Sequence, residues 1–173
     1  MKKLSSIFLL SLIFLLFSSC ERPDLTDDVE MAYEIAASSC KTIDGNMWSP
    51  KASSYMTWHD AVSYCDNLTE CGYTDWRLPN IDELRTLIQN HSGTQTGGSC
   101  PISEKAGKLE YRDWTDDCDG RKGSNFSKLG DTDWFWSSST TSDSTDSAWY
   151  VGFYSGYVNV YYKTRNSYVR CVR

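Results

Sequence analysis

Two amphipathic helices followed by a β-rich tail predict an α+β domain for this chain of 173 residues. Apolar residues recur at helical spacing in two segments, which begin at Thr57 and Asn80 and predict two helices. From Ala148 to Val172 the apolar period changes to two, which is typical of antiparallel strands. Aromatic residues make up 14% of the chain, and because their side chains bury large areas they favour a packed core.

Residues 1–19 are typical of an export signal. Lys2 and Lys3 precede a short apolar stretch from Ile7 to Phe17. Because a membrane-spanning helix needs about 20 apolar residues, this shorter stretch predicts a signal peptide that is removed on export. The mature protein is therefore expected to face the periplasm or the cell surface.

The residues that follow predict a membrane anchor of a different kind. The run Phe17-Ser18-Ser19-Cys20 resembles a bacterial lipobox, in which small residues precede a cysteine that is lipidated and becomes the mature N-terminus. Residues 20–39 then form the lipidated N-terminus and an acidic tether with little to bury. The alternative is ordinary secretion, with Cys20 as a spare thiol.

The charge of the chain disfavours one class of partner and leaves another open. The net charge of −6 argues against nucleic acid, because nucleic-acid-binding domains are typically basic. No acidic residue follows Asp146, whereas the tail carries four basic ones: Lys163, Arg165, Arg170 and Arg173. Such a tail suits a sulfated or carboxylated glycan, or else protects a strand edge.

Both predicted helices have recognisable ends. Thr57 and Asp60 are placed to cap the first turn of the first helix, and Gly72 ends that region. The apolar stripe of this helix comprises Trp58, Ala61, Val62, Cys65 and Leu68. Asn80 and Glu83 have the spacing of a capping box at the start of the second helix. Its apolar stripe comprises Ile81, Leu84, Leu87 and Ile88.

Residues 90–133 form a polar region rich in Gly, Ser, Thr and Asp, which predicts a long irregular insert. A disulfide between Cys100 and Cys118 would keep such a region ordered. Three acids lie close together beside a glycine, which suits a structural calcium ion without matching an EF-hand loop: Asp116, Asp117 and Asp119. We assign no cofactor on this basis.

The cysteines agree with an oxidising compartment. If Cys20 is lipidated, six remain: Cys40, Cys65, Cys71, Cys100, Cys118 and Cys171. In an exported protein these favour three disulfides, although spacing alone does not choose their connectivity. Zinc is the alternative, but the sequence has no C-x-x-C pair, and neither histidine has zinc-finger spacing from a cysteine pair.

The tail predicts a meander of short antiparallel strands. Trp134-Phe135-Trp136 opens a strand, residues 137–147 are expected to form a loop, and Ser155-Gly156 marks a turn. One face of the later strands presents Trp149, Val151, Phe153, Val158 and Val160. The other face presents Tyr150, Tyr154, Tyr157, Asn159 and Tyr161.

Six sequence blocks occur in an order that resembles a known family, over about Ile43 to Arg173. They include Met47-Trp48, the run Asp75-Trp76-Arg77-Leu78-Pro79-Asn80, and Trp136-Ser137-Ser138. The other three blocks surround Cys65, Trp149 and Cys171. Together they resemble the Lcl C-terminal domain family, a bacterial domain of largely unknown function named after a collagen-like adhesin. The Arg-Leu-Pro block is also similar to the formylglycine-generating enzyme fold, a relative of C-type lectin-like domains.

This resemblance implies a more specific architecture. It implies two helices packed on a twisted antiparallel sheet, C-type lectin-like, closed by a link between the first helix and the last strand. Cys65 and Cys171 fit that link, which leaves Cys40 with Cys71 as a further pair. No family property extends to the insert.

We expect a non-catalytic binding or adhesion domain for carbohydrate or a sulfated glycan. Aromatic planes beside amide and charged groups suit sugar rings, which have apolar C–H faces and polar rims. The candidate ligand-binding residues are Tyr150, Tyr154, Tyr157, Asn159, Tyr161, Lys163 and Arg165. Alternatively, the tyrosines simply cover the second face of the sheet beneath the insert.

Two other functions stay open. The first is an envelope enzyme, such as a formylglycine-generating type of oxidase, but that chemistry requires a reactive cysteine pair. The second is a purely structural envelope lipoprotein, which would lack a ligand. The sequence predicts no catalytic residue and leaves the oligomeric state undefined.

Overall fold

Seven short elements follow one another in the computed structural model, which describes residues 39–100, 120–142 and 144–173. The helices are α1 (Trp58–Asp66) and α2 (Ile81–Arg85). The strands are β1 (Lys41–Ile43), β2 (Asn46–Trp48), β3 (Trp134–Thr141), β4 (Ser144–Gly152) and β5 (Tyr157–Tyr162). The predicted signal peptide, the predicted lipidation at Cys20 and most of the predicted tether lie outside the described residues.

The strands form two antiparallel sheets. β1 and β2 make a hairpin, and a second sheet has the order β3-β4-β5. The C-terminal residues join the first hairpin, because Met47 and Arg173 exchange two backbone hydrogen bonds of 3.0 and 3.1 Å. Val172 makes a similar pair with Arg77. The start and the end of the domain are thereby held together, which gives the mixed α+β architecture that the sequence predicts.

Both predicted helix caps are present. The Thr57 hydroxyl accepts a hydrogen bond from the Asp60 amide at 3.3 Å. At α2, Asn80 and Glu83 form a complete capping box. The helix α2 is shorter than its apolar stripe, which continues through Leu87 and Ile88. Those two side chains nevertheless remain buried in the same core, so the pattern predicts burial correctly beyond the end of the helix.

The β3–β4 hairpin corrects the prediction of a loop over residues 137–147. Pairing extends to Thr141 and resumes at Ser144. The strands tolerate Ser and Thr because their hydroxyl groups bond to the backbone of the hairpin. The Ser137 hydroxyl donates to the Trp149 carbonyl at 2.9 Å, and the Thr141 hydroxyl donates to the Ser144 carbonyl at 2.8 Å. The polar composition therefore concealed the parts of β3 and β4 that lie next to the turn, whereas the strands at Trp134–Trp136 and from Ala148 onward were predicted.

Two hydrophobic clusters lie on opposite faces of the three-stranded sheet, since alternate strand residues point to opposite sides. Trp149 and Val151 pack with the apolar residues of α2. Ala148 and Tyr150 pack on the other face with Ala61 of α1. The two helices thus cover different faces of the sheet.

Two disulfides close the domain. Cys65 of α1 is joined to Cys171 with a Cα–Cα distance of 5.5 Å, and Cys40 is joined to Cys71 with a distance of 6.4 Å. Both are the pairs that the family resemblance implies. Cys100 is also disulfide-bonded, and its partner lies outside the described residues, as does Cys118.

Disulfides persist in oxidising compartments, so this pattern indicates an extracytoplasmic protein. Within the described ranges, no helix has the length and apolar character needed to cross a membrane.

Candidate functional site

Five aromatic rings form a cluster on the sheet face that carries Tyr150. The ring of Trp134 lies 5.7 Å from Tyr150, 6.3 Å from Tyr154 and 6.3 Å from Tyr161, measured between ring centroids. Tyr157 contacts Tyr150 at 6.2 Å. We call these five residues the aromatic face. The structure therefore brings together the four tyrosines that the strand periodicity placed on one face.

The members of the aromatic face differ in exposure. Tyr150 is 6% exposed, and burial raises the pKa of its phenol group. Trp134 and Tyr154 are 40% and 49% exposed, whereas Tyr157 and Tyr161 are half-buried. Tyr150 thus forms the floor, and Trp134 and Tyr154 present ring surface to a ligand.

The packing of Trp134 against Tyr154 depends on a glycine. Trp134 pairs with Gly152 across the β3–β4 hairpin. A Cβ atom at Gly152 would lie 2.9 Å from the Tyr154 ring and 3.1 Å from the Trp134 ring. Glycine within a strand often marks such a close approach. Trp134 was not among the predicted site residues, because its position opposite Gly152 depends on the register of the β3–β4 hairpin, which the sequence pattern did not predict.

Asn159 is engaged within the protein. Its amide nitrogen donates to the Tyr157 hydroxyl, and its amide oxygen accepts from the Val160 N–H at 2.7 Å. The predicted amide of the site therefore holds the phenol of Tyr157 in position.

The two predicted basic residues have different environments. The Lys163 ammonium lies 4.0 Å from the centroid of the Trp58 ring and donates to the Thr140 hydroxyl at 2.9 Å. Burial lowers the pKa of Lys163. The Arg165 guanidinium lies 5.7 Å from the ring centroid of Tyr161, and this residue is exposed. Arg165 therefore adds positive charge beside the aromatic face, whereas Lys163 is held over Trp58.

The other two basic residues of the tail are neutralised by carboxylates. Arg170 forms a two-pronged ion pair with Asp131, with both distances at 2.8 Å. Arg173 pairs with Asp75 at 2.7 and 3.1 Å and covers the Tyr73 ring. The four cations of the tail therefore do not form one patch.

A groove of about 620 Å³ lies beside the aromatic face. It is lined by two basic residues that the sequence analysis did not select. Its walls include Arg121 and Lys122 together with Tyr154 and Tyr157. Both cationic residues are exposed. The Arg121 N–H donates to the Ser155 carbonyl at 2.9 Å, which fixes the backbone of this segment. We call this cavity the basic groove.

No described residues form a convincing metal site. Cys40, Glu70 and Cys71 lie within ligand distance of one another, but the two sulfur atoms are joined in a disulfide. The acidic residues considered for calcium, Asp116, Asp117 and Asp119, lie outside the described residues.

Comparisons with family models and with curated proteins identify the family of this chain. Curated proteins give no significant match. The family model of the Lcl C-terminal domain matches residues 41–173, which include the disulfide between Cys65 and Cys171, the aromatic face and the basic groove. This chain therefore belongs to the Lcl C-terminal domain family.

Proposed function

We propose that this protein is a non-catalytic glycan-binding domain of the bacterial cell envelope, anchored through a lipid on Cys20. The observation that supports glycan binding most directly is the pair of exposed rings, Trp134 and Tyr154, standing on the buried Tyr150. Rings of this kind stack on the apolar C–H face of a pyranose. Rigid aromatic side chains lose little conformational entropy on binding, which favours such a platform.

The adjacent charges favour an anionic glycan. Lys122 and Arg121 line the basic groove next to Tyr154, and Arg165 lies near Tyr161. Sulfate or carboxylate groups of a chain stacked on the rings would lie within reach of these cations. The chain as a whole carries a net charge of −6. Exposed charges more than about 8 Å apart are largely screened at physiological ionic strength, so the basic residues nearest the glycan determine its electrostatic attraction to the protein.

Binding to immobilised heparin, a sulfated glycan, tests this proposal. Replacing Tyr154 with Ala removes one exposed ring and is expected to weaken binding about 3- to 10-fold, since an aromatic contact contributes about 0.5–1.5 kcal/mol. Lys122→Ala should weaken binding and make it less sensitive to salt. Tyr162→Ala is the matched control, because Tyr162 is 62% exposed and lies next to Tyr161 on the opposite side of β5.

Each outcome is informative. Equal losses in the Tyr154 and Tyr162 variants would argue against recognition by the aromatic face. Absence of saturable heparin binding by the native protein would contradict the anionic-glycan proposal and favour a purely structural role.

The proposed lack of catalysis rests on cysteine chemistry. A formylglycine-generating type of oxidase needs a reactive cysteine pair, whereas Cys171 and Cys65 are joined in a disulfide. We also propose the C-type lectin-like fold for this domain. Its support is the closure of α1 to the C-terminal residues and the antiparallel pairing of Met47 with Arg173.

The lipid anchor has a separate test. Intact mass of the protein extracted from membranes is expected to show a diacyl or triacyl glyceride adduct on a chain that begins at Cys20. An unmodified N-terminus at that position would indicate ordinary secretion. Neither result bears on glycan binding.

A further inference from the structure

Trp134 also lines a second groove, of about 280 Å³, that lies outside the predicted site. Its other aromatic walls are Tyr55 and Tyr168. Tyr55 is 60% exposed, so two strongly exposed rings border this cavity. We call it the Tyr55 groove.

The walls of the Tyr55 groove are fixed by packing. Tyr168 contacts Tyr55 edge to face at 5.8 Å and contacts the buried Phe135 at 6.1 Å. The Lys51 ammonium covers the Tyr168 ring at 4.5 Å. A site whose rings are already held in place loses little entropy on binding.

The groove offers hydrogen-bonding groups that the fold does not use. Asp133 pairs with Lys51 through Oδ2 at 2.8 Å, and its Oδ1 makes no hydrogen bond to the described residues. The side chain of Asn166, which also lines the groove, makes none either. Ser167 is 3% exposed, and its hydroxyl has no hydrogen-bond partner among the described residues. A sugar ring bearing several hydroxyl groups would supply hydrogen-bond partners to the exposed Asn166 and Asp133 Oδ1 and to the buried Ser167 hydroxyl.

The charge of the groove differs from that of the basic groove. None of the described residues that line the groove is basic, and its one acidic lining residue, Asp133, forms an ion pair with Lys51. The hydrogen bond that Lys51 donates to the Asp133 carboxylate raises the pKa of Lys51, so the ammonium group stays charged at neutral pH. The paired charges cancel locally, which disfavours a sulfated or carboxylated ligand and favours an uncharged one.

We propose that the Tyr55 groove binds one uncharged pyranose unit of a glycan. The sugar ring stacks on Tyr55 and Trp134, and its hydroxyl groups bond to Asp133 Oδ1 and the Asn166 amide. The cavity lies just below the usual range of about 300–1,000 Å³ for small-molecule sites, which suits a single ring. This inference rests on the proposed glycan recognition, with which it shares Trp134, and it adds a separate subsite for neutral sugar.

Calorimetric titration with neutral hexasaccharides tests the subsite. The probes are cellohexaose, maltohexaose, mannohexaose and chitohexaose, each titrated into the native protein at low and high salt. At least one is expected to bind with an affinity that changes less than about twofold with salt, because no net charge is neutralised. Tyr55→Ala and Asn166→Ala are each expected to weaken that binding about 10-fold or more, which corresponds to about 1.4 kcal/mol.

The controls separate this inference from the proposed function. Tyr73→Ala is the matched control, because Tyr73 is 39% exposed and lies against Arg173, away from the residues that line the groove. Heparin binding by the Tyr55 variant should equal that of the native protein. Failure of all four hexasaccharides to bind, or equal binding by the native and Tyr55 proteins, overturns the subsite. Loss of heparin binding in Tyr154→Ala supports the proposed function whichever result the neutral sugars give.

Discussion

Arg170 and Asp131 form a buried two-pronged ion pair that ties the C-terminal residues to the segment before β3. Both hydrogen bonds between the guanidinium and the carboxylate are 2.8 Å long. The Asp131 side chain is 3% exposed and that of Arg170 is 12% exposed. The guanidinium also donates to the Ser49 carbonyl at 2.7 Å. Three chain segments therefore meet at one arginine.

Replacing Asp131 with Asn is expected to destabilise the domain strongly. The substitution leaves the Arg170 charge buried without its counter-ion, and breaking such a pair costs about 3–5 kcal/mol. Urea denaturation, monitored by tryptophan fluorescence, measures the change in the free energy of unfolding. Asp75→Asn is the control, because it breaks the Arg173 pair at a carboxylate whose side chain is 65% exposed. Similar losses in the two variants would show that burial does not determine the contribution of the Asp131 pair.

The disulfide between Cys65 and Cys171 is expected to stabilise the domain more than the one between Cys40 and Cys71. The two bonds close loops with sequence separations of 106 and 31 residues. In the chain-entropy model the longer loop contributes about 4–5 kcal/mol, roughly 1 kcal/mol more than the shorter one. Thermal denaturation of the Cys65→Ser/Cys171→Ser and Cys40→Ser/Cys71→Ser proteins tests this order. A lower melting temperature for the Cys40/Cys71 variant would contradict it.

The sequence predicted the local features whose signals are short-range. The Asn80 and Glu83 capping box and the Thr57 cap are present because each depends on spacing within one element, and the shared face of the tyrosines is present because β4 and β5 are neighbouring strands joined by a short turn. The β1–β2 hairpin was not predicted, although Asp44-Gly45 at its turn is a typical hairpin signal. Both residues have positive φ angles, as that type of turn requires.

The parts of the candidate site that the sequence did not predict depend on contacts between distant segments. Tyr55 and Trp134 border one groove, although they lie far apart in the sequence. The same two segments are joined by a hydrogen bond from the Trp58 indole to the Ser137 carbonyl, which spans 79 positions. Arg121 lies beside the aromatic face, where its backbone N–H donates to the Ser155 carbonyl. Neither relationship leaves a periodic pattern in the chain. The basic tail shows the opposite case, since Arg170 and Arg173 lie close to other basic residues in the sequence but pair with carboxylates in the fold.

Glu83 is expected to make the stability of the domain depend on pH in the acid range. Its hydrogen bonds from Arg77, and from the Asn80 N–H, lower the pKa of the Glu83 carboxyl below its ordinary value of 4.5. The folded state therefore holds fewer protons on this group than the unfolded state does. Its stabilising contribution is present above about pH 4.5 and is lost as the pH falls through the lower, folded-state pKa.

Glu83→Gln tests this dependence through urea midpoints measured between pH 7 and pH 3. The variant should be less stable than the native protein at neutral pH, and the difference should shrink as the pH falls. Arg77→Gln should retain part of the dependence, because the Asn80 N–H still donates to the carboxylate. Parallel pH profiles for the native and Glu83→Gln proteins would assign the acid sensitivity to other groups.

Gly152→Ala is expected to impair glycan binding with little loss of stability. The added methyl group would lie 2.9 Å from the Tyr154 ring and 3.1 Å from the Trp134 ring. Both side chains lie at the surface, 40% and 49% exposed, and can move away, so the cost to folding is small, whereas the two ring planes lose their present arrangement. We expect heparin affinity to fall about as far as in Tyr154→Ala, while the melting temperature changes by less than about 4 °C, the shift expected for roughly 1 kcal/mol. Native affinity in the Gly152 variant would show that binding does not require the packing of Trp134 against Tyr154, and would move the recognition of anionic glycan to the cations of the basic groove.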